Sequence, residues 1–374
     1  MDDPPETERE AVDSIELEAR ALFGSAPTAV ARLTHSSVTR GVWRVTMTTE
    51  DTVVVKVLVP PPSAGPAATD PHSLHYWLRE ARAYAAGAPA PYRTAGVRGP
   101  ALLARFDRPN GDVALWLEDV QGVSAAGWDL PQFATAARRL GRAQGAYLTT
   151  APLPEDEWLC RGYLRQYLAA RKPQDDILLA SDEAWRQPSI ARHFSTELRD
   201  GLRRLRADRQ SLLHWLEAGP QTFAHLDVWP DNLFDVGAEL VLIDWGFAGI
   251  GSAGEDMGNL VPDSVFDLRH PAGILGDLDR AVCAGYIAGL HDAGWSGDER
   301  VIRLAMTASA CKYDWIAGAT LARAAAGDGM SFQAIYGGVE VDAERLFGAR
   351  AAALTLLVEW AAEARGLAAA LGLG

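Results

Sequence analysis

The chain has 374 residues, with 35 Lys and Arg against 49 Asp and Glu, a net charge of −14. That acidity argues against a broad phosphate-backbone footprint, which nucleic-acid binders build from clustered cations, and fits either a solvated acidic surface or a cationic partner. With 48% hydrophobic and 22% charged residues, the composition is that of an ordinary globular protein, long enough for two domains or two lobes sharing a cleft.

The opening stretch "MDDPPETERE" is acidic and has no apolar segment of signal-peptide type, and no run approaches the length of a membrane span. The three cysteines, Cys160, Cys283 and Cys311, are far apart and lack metal-ligand spacing. A reduced, cytoplasmic setting without membrane or nucleic-acid partners is the expectation.

In chain order, "EAVDSIELEARALFG" reads as an amphipathic helix. Strand candidates follow at "AVARLTH", "GVWRVTMTT" and "DTVVVKVLV", the last two joined by a polar turn that fits a hairpin. "PPPSAGPAATDP" (60–71) is a loop by its Pro, Gly and small residues. "SLHYWLREARAYAAG" is predicted as one helix, and "ALLARF" and "DVALWLE" as two more strands. From about residue 130 the pattern becomes Ala/Leu/Arg-rich and helical, broken only by short strands around "FAHLDVWPDNLF" and "LVLIDW". There is no internal repeat. The expected class is α+β: an N-terminal extension and helix over 1–24, a small β-rich lobe with one helix over 25–120, and a larger helical lobe over 121–374.

Alternation in "TVVVKVLV" puts Val53, Val55, Val57 and Val59 on one face and Thr52, Val54, Lys56 and Leu58 on the other. Lys56 is the one charge on two apolar faces, and a buried ammonium needs a partner. Glu80 shares a helical stripe with Trp77 and Tyr84, which points its carboxylate inward. The pair either satisfy each other or are a snorkelling lysine and an unrelated rim glutamate.

The segment 223–234 concentrates polar groups in an apolar frame. Pro230 between Asp227 and Asn232 forbids a regular helix, so the side chains project from a loop. Asp244 ends the strand "ELVLI". Carboxylate and amide oxygens are hard ligands suited to Mg²⁺, which one or two of them hold together with phosphates and water; one Asp remains free to accept a proton.

The order Lys56, Glu80, "HLDVWPDN", "IDW" resembles the protein-kinase-like fold, and specifically the aminoglycoside phosphotransferase family, in which an H-x-D-x-x-x-x-N loop is followed by I-D-W. The resemblance spans about residues 25–325. It implies a bilobal kinase-like enzyme that uses Mg²⁺ and ATP or GTP to phosphorylate a hydroxyl of a small acceptor. Lys56 would hold the α/β-phosphates and Glu80 would orient it. Asp227 would be the base or orienter for the acceptor hydroxyl, and Asn232 and Asp244 would bind the metal. His225 would brace the loop, and Asp256 would bond its backbone. The backbone from Glu118 to Val120, in "LWLEDVQG", would meet the adenine.

The strand-turn-strand "THSSVTRGVWRV" departs from a Gly-rich phosphate loop, since Gly41 is its one glycine. Ser36, Ser37 and Thr39 would contact phosphate there, unless the turn is an ordinary polar hairpin. "GIGSAG" (249–254) matches G-x-G-x-x-G, but "WGFA" separates it from the preceding strand and no βαβ unit follows. No P-loop sequence occurs.

For the acceptor, acidic residues Asp231, Glu255, Asp263 and Asp267 are candidates to meet a cationic molecule such as an aminoglycoside, or else are surface and capping residues. Trp229 either stacks on a sugar or peptide group or packs in the core. The helical stretch from about 155 to 218 is the expected acceptor-side insertion. The expected role is antibiotic resistance or natural-product biosynthesis; the alternative is a kinase-like partner acting on Ser/Thr of a biosynthetic peptide, or a non-catalytic nucleotide-binding subunit.

Overall fold

A computed structural model describes residues 6–34, 39–87, 89–326, 332–333 and 340–373. The N-terminal lobe is built on strands β1 (Ala29–Thr34), β2 (Thr39–Thr46), β3 (Thr52–Leu58), β5 (Leu102–Asp107) and β6 (Val113–Glu118), in the order β1-β2-β3-β6-β5, every neighbouring pair antiparallel. The short β4 (Val97–Arg98) belongs to a different sheet. The two faces of β3 serve different cores, as its alternation requires. Val53, Val55 and Val57 join Trp43, Val45 and Trp116, and helix α1 (Glu6–Phe23) closes this face with Ala11, Ile15 and Ala19. Glu18 of α1, buried under the sheet, accepts hydrogen bonds from Arg108 (2.6 and 3.0 Å) and Trp116 Nε1 (2.9 Å), so the buried carboxylate is fully matched. Val54 and Leu58 face the main core on the other side.

Helix α2 (Arg79–Ala86) is shorter than its sequence suggests. The reason is Arg79, which is completely buried. Its guanidinium collects the carbonyls of Pro71 (3.0 Å), Ser73 (2.6 Å) and Leu74 (3.4 Å), and the chain there makes isolated turns, with Tyr76 N–H on Ser73 O (3.1 Å), in place of continuous helix. It also takes the carbonyls of Trp158 (2.9 Å) and Gly246 (3.2 Å), pinning α2 to the second lobe. Trp77 consequently precedes the helix; Tyr84 is one turn from Glu80 within it. The loop 60–71 contains a 3₁₀ stretch, Pro62–Ala68.

After α3 (Ala90–Thr94) and β7 (Val123–Ser124), the second lobe opens with α4 (Leu130–Gly145), capped by an Asp129–Gln132 capping box. Then come β8 (Cys160–Arg161), α5 (Tyr163–Ala169), α6 (Pro173–Ala180), α7 (Asp182–Trp185), α8 (Pro188–Ala191) and α9 (Thr196–Glu217). Strands β9 (Gln221–Ala224), β10 (Leu233–Asp235), β11 (Leu240–Leu242) and β12 (Gly249–Ser252) follow, then α10 (Glu255–Phe266), α11 (Leu275–Asp292), α12 (Glu299–Ala308), α13 (Trp315–Ala325) and α14 (Ala343–Ala370). The small strands form two sheets, β4-β11-β10-β7 and β8-β12-β9. "GIGS" is β12, antiparallel to β9, and the chain then enters α10 and further helices, so it is no dinucleotide fingerprint. Helices α4 and α11 meet backbone to backbone: a Cβ at Gly141 would fall 2.1 Å from Tyr286 O, and one at Gly289 2.0 Å from Arg138 O.

Candidate active site

β9 is followed at once by His225, which is fully buried. Its ring packs edge-on against Trp245 at 4.9 Å, and its Nε2 donates to Ile243 O at 3.0 Å. Burial lowers its pKa, which keeps the imidazole neutral. Leu226, the next residue, has φ 66°, a conformation a leucine adopts only under constraint. The constraint is Asp256, whose two oxygens accept the N–H groups of His225 (3.1 Å) and Leu226 (2.7 Å). A third bond to Asp256 comes from Gln144 Nε2 of α4 at 2.7 Å. Gln144 is itself held by the hydroxyls of Tyr92 (3.1 Å) and Tyr286 (2.5 Å), and Tyr286 accepts Gly254 N–H (3.1 Å) at the start of α10.

The bent loop then delivers Asp227. Asn232 Nδ2 donates to Asp227 O (2.9 Å) and Oδ2 (3.2 Å), closing a clasp across the Pro230–Asn232 turn. The β10–β11 hairpin, in register Leu233↔Leu242, returns the chain beside this clasp, where Ile243 N–H donates to Asn232 O at 2.9 Å. The hairpin thus sets Asn232 next to Asp244, which has φ 61°. Lys56 Nζ lies 2.7 Å from Glu80 Oε2 and 2.8 Å from Asp244 Oδ1. Residues from β3, α2 and the loop after β11 therefore converge on one ammonium.

Burial pushes the Asp227 carboxyl up to about 6, against the opposing pull of Lys312. Burial works to lower Lys56, but Asp244 and Glu80 overcome it and hold the lysine above its ordinary value. Asp244 sits below the ordinary carboxylate value: Lys56 outweighs burial there. The electrostatics favour an ionised Lys56–Asp244 pair and a readily protonated Asp227.

Asn232 and Asp244 offer an amide oxygen and a carboxylate. The Asn232 amide nitrogen is engaged by Asp227, which leaves its oxygen available, and Asp244 keeps its side chain 43% exposed. Two such hard donors suit Mg²⁺, which takes its remaining ligands from phosphate and water. No cluster of three or more His, Cys, Asp or Glu forms a stand-alone metal cage among the described residues.

The other candidates are spread more widely. Ser36 and Ser37 lie outside the described residues; Thr39 is buried at the start of β2, opposite Leu58. Glu118 ends β6, uses its N–H on Ala101 O (2.9 Å) and its carboxylate on Arg98 (2.6 and 2.9 Å); Val120 stands half-buried just beyond. Asp231 is paired with Arg269 at 2.5 Å, and that guanidinium lies 5.9 Å over the Trp229 ring. Glu255 is buried at the head of α10 and accepts Ser252 N–H (3.2 Å); burial raises its carboxyl to about 7. Asp263 accepts the Tyr313 hydroxyl at 2.7 Å and is likewise raised by burial to about 7. Burial also raises Asp267. Sequence reasoning missed Gln144, Tyr286 and Lys312, which lie on helical segments far from the motifs, and Arg79, which stands directly before Glu80.

A family model described as "Phosphotransferase enzyme family" (APH) matches residues 32–295, well over half the chain. The chain belongs to this family. Among solved structures, an amicoumacin kinase, hAmiN, in complex with AMP-PNP, Ca²⁺ and amicoumacin is 12% identical, with 95% of this chain and 96% of that one covered and a TM-score of 0.56. A choline/ethanolamine kinase family protein from Mesorhizobium loti is 16% identical over 95% and 98%, with a TM-score of 0.51. A choline kinase from Cryptosporidium parvum is 14% identical over 95% and 97%, with a TM-score of 0.50. At these identities the likeness is one of fold, and it makes this APH member a kinase-like α+β protein. Among curated proteins none matches.

Proposed function

We propose that the protein is a nucleotide-dependent small-molecule kinase that moves the γ-phosphoryl group of ATP or GTP to a hydroxyl of a small acceptor. The observation that carries this reading is the convergence of Lys56 on Glu80 and Asp244 at 2.7 and 2.8 Å, beside a loop in which Asn232 clasps Asp227. Phosphoryl transfer asks little covalent chemistry of a protein; it asks for positioned phosphates, an aligned acceptor and charge stabilisation.

Lys56, held by Glu80, would take the α- and β-phosphate oxygens. Asn232 and Asp244 would hold Mg²⁺, which when bound neutralises charge on the phosphates. Asp227 Oδ2 accepts from Asn232, which leaves Oδ1 to orient the acceptor hydroxyl and receive its proton as the new O–P bond forms and the β–γ bridge breaks. Asp256 and His225 would act through the backbone by holding the loop in its strained form. Val120 and its neighbours would meet the base of the nucleotide. The APH family model supports phosphotransfer, and the AMP-PNP and Ca²⁺ bound by the amicoumacin kinase support a nucleotide donor with a divalent cation. A role in antibiotic resistance or natural-product biosynthesis, in the cytoplasm, goes with this reading.

The test is a mass-spectrometric acceptor screen with Mg-ATP and Mg-GTP and an Asp227→Ala control. A gain of one phosphate that the control loses is expected. Equal transfer by the control would refute the assignment of Asp227.

A further inference from the structure

Lys312 lies in the 3₁₀ segment Ser309–Tyr313, between α12 and α13, and is 5% exposed. Its ammonium stands 5.3 Å from the ring centroids of Tyr163 and Tyr167 and 5.4 Å from that of Tyr313. Among the described residues it has no hydrogen bond and no salt-bridge partner. The segment that carries it is anchored: fully buried Asp314 accepts two bonds from Arg209 of α9, at 2.7 and 2.6 Å. Tyr313, the next residue, donates its hydroxyl to Asp263 of α10 at 2.7 Å, which sets the segment against α10, and Lys312 draws the carboxyls of Asp227, Asp263 and Glu255 down against burial.

A lysine this deeply buried is ordinarily paired. The three tyrosine faces attract the ammonium but give its N–H groups no lone pair to point at. The acids around it are in the opposite position. Asp227 already takes Asn232, Asp263 takes the Tyr313 hydroxyl, and Asp231 takes Arg269. Asp227, Asp263 and Glu255 all lie in the field of Lys312, and each already has a hydrogen-bond donor, Glu255 taking Ser252 N–H, whereas the ammonium has no acceptor, so the group with hydrogen-bonding capacity to spare is the positive one.

We propose that Lys312 is an acceptor-binding residue and that it takes an oxyanionic group, a carboxylate or a phosphate, carried by the hydroxylated acceptor. This deepens the phosphotransferase reading and rests on it. An oxyanion would satisfy the buried donor with a charge-assisted bond, whereas a polycation would meet a fixed like charge beside Asp227. The acceptor class is thereby shifted away from the cationic molecules that the overall acidity suggests.

The test uses the full-length protein and Lys312→Met and Lys312→Arg variants, with Mg-ATP. The probes are hydroxy acids (glycerate, gluconate, homoserine), sugar phosphates (glucose 1-phosphate, fructose 6-phosphate) and two cations, kanamycin and choline. Transfer to a hydroxy acid or a sugar phosphate is expected, and the better probe tells carboxylate from phosphate. Lys312→Met should raise KM for that probe at least about tenfold, the scale for losing one partner of a buried charge pair, and Lys312→Arg should recover most of it. Preferred phosphorylation of kanamycin or choline, phosphorylation of no oxyanionic probe, or an unchanged KM in Lys312→Met would overturn the assignment. Mg-ATP binding and its slow hydrolysis, measured on the parent and on Asp227→Asn, separate the readings: their absence removes the kinase proposal itself, and their presence confines the failure to Lys312.

Discussion

Replacing Asp256 tests how the loop that carries Asp227 is held. Its carboxylate is fully buried and accepts three hydrogen bonds, from His225 N–H, Leu226 N–H and Gln144 Nε2. Asp256→Ala strands three buried donors. At about 1–3 kcal/mol for each unsatisfied group, the loss is roughly 3–9 kcal/mol, a large part of the about 5–15 kcal/mol that holds a typical domain together. Leu226, then held through its carbonyl by Asn259 Nδ2 (3.3 Å) but no longer through its N–H, can relax out of its left-handed conformation, which carries strain of about 1–3 kcal/mol. Part of the cost is recovered by that relaxation, and the recovery moves Asp227. Asp256→Asn keeps the shape but sets an NH₂ against a donor, so it should lose about 2–4 kcal/mol. Urea denaturation measures the stability, and transfer to whatever acceptor the screen yields measures the geometry. Both should fall together in Asp256→Asn, with nucleotide affinity much less affected. If the midpoint of Asp256→Ala shifts by less than about 1 kcal/mol, the loop is held by something else and the argument fails.

Three further outcomes are expected. Since Asp227 must be ionised to accept a proton and burial lifts it to about 6, kcat/KM should fall as pH drops through about 6 and level off above it; an acid limb near the ordinary value of 3.8 would contradict this. Asp244→Ala should raise the Kd for Mg-nucleotide at least about tenfold in a calorimetric titration, and an unchanged Kd removes Asp244 from metal binding. Glu255 rises from 4.5 to about 7 on folding, so its contribution to stability is complete below about pH 4.5 and is lost as pH rises through about 7. Glu255→Gln, which keeps an acceptor for Ser252 N–H, should therefore gain stability relative to the parent by up to about 3 kcal/mol between pH 4.5 and 8, and a pH-independent difference would show the carboxyl is not desolvated as described.

The sequence made legible whatever is written locally. Lys56 stands out because it interrupts an alternating strand, and the loop that carries Asp227 and Asn232 because Pro230 rules out a regular helix across it; the hydrogen bonds that join the two residues were not legible. The strands of the first lobe fall within a residue or three of their expected bounds for the same reason. The length of α2 was not legible, since it is decided by Arg79 gathering carbonyls from Pro71 to Gly246, a matter of tertiary contact. Gln144, Tyr286 and Lys312 were hidden differently. Each sits in an Ala/Leu-rich helical stretch where periodicity reports only a buried face, and each meets a group more than 100 residues away, Asp256 for Gln144, Gln144 for Tyr286 and Tyr167 for Lys312. The acidic acceptor candidates were visible as residues, but the donors Arg269 and Tyr313 that already engage two of them were not.

The glycine contact between α4 and α11 acts as a gauge block for the site. The two helices that touch through Gly141 and Gly289 are the ones that carry Gln144 and Tyr286, whose side chains meet each other and then Asp256. One extra methyl group at Gly289, on a surface that touches no substrate, would wedge these helices apart and misset the loop carrying Asp227. On the proposed function, precision at the reacting oxygen is in this sense specified by positions that have no side chain at all.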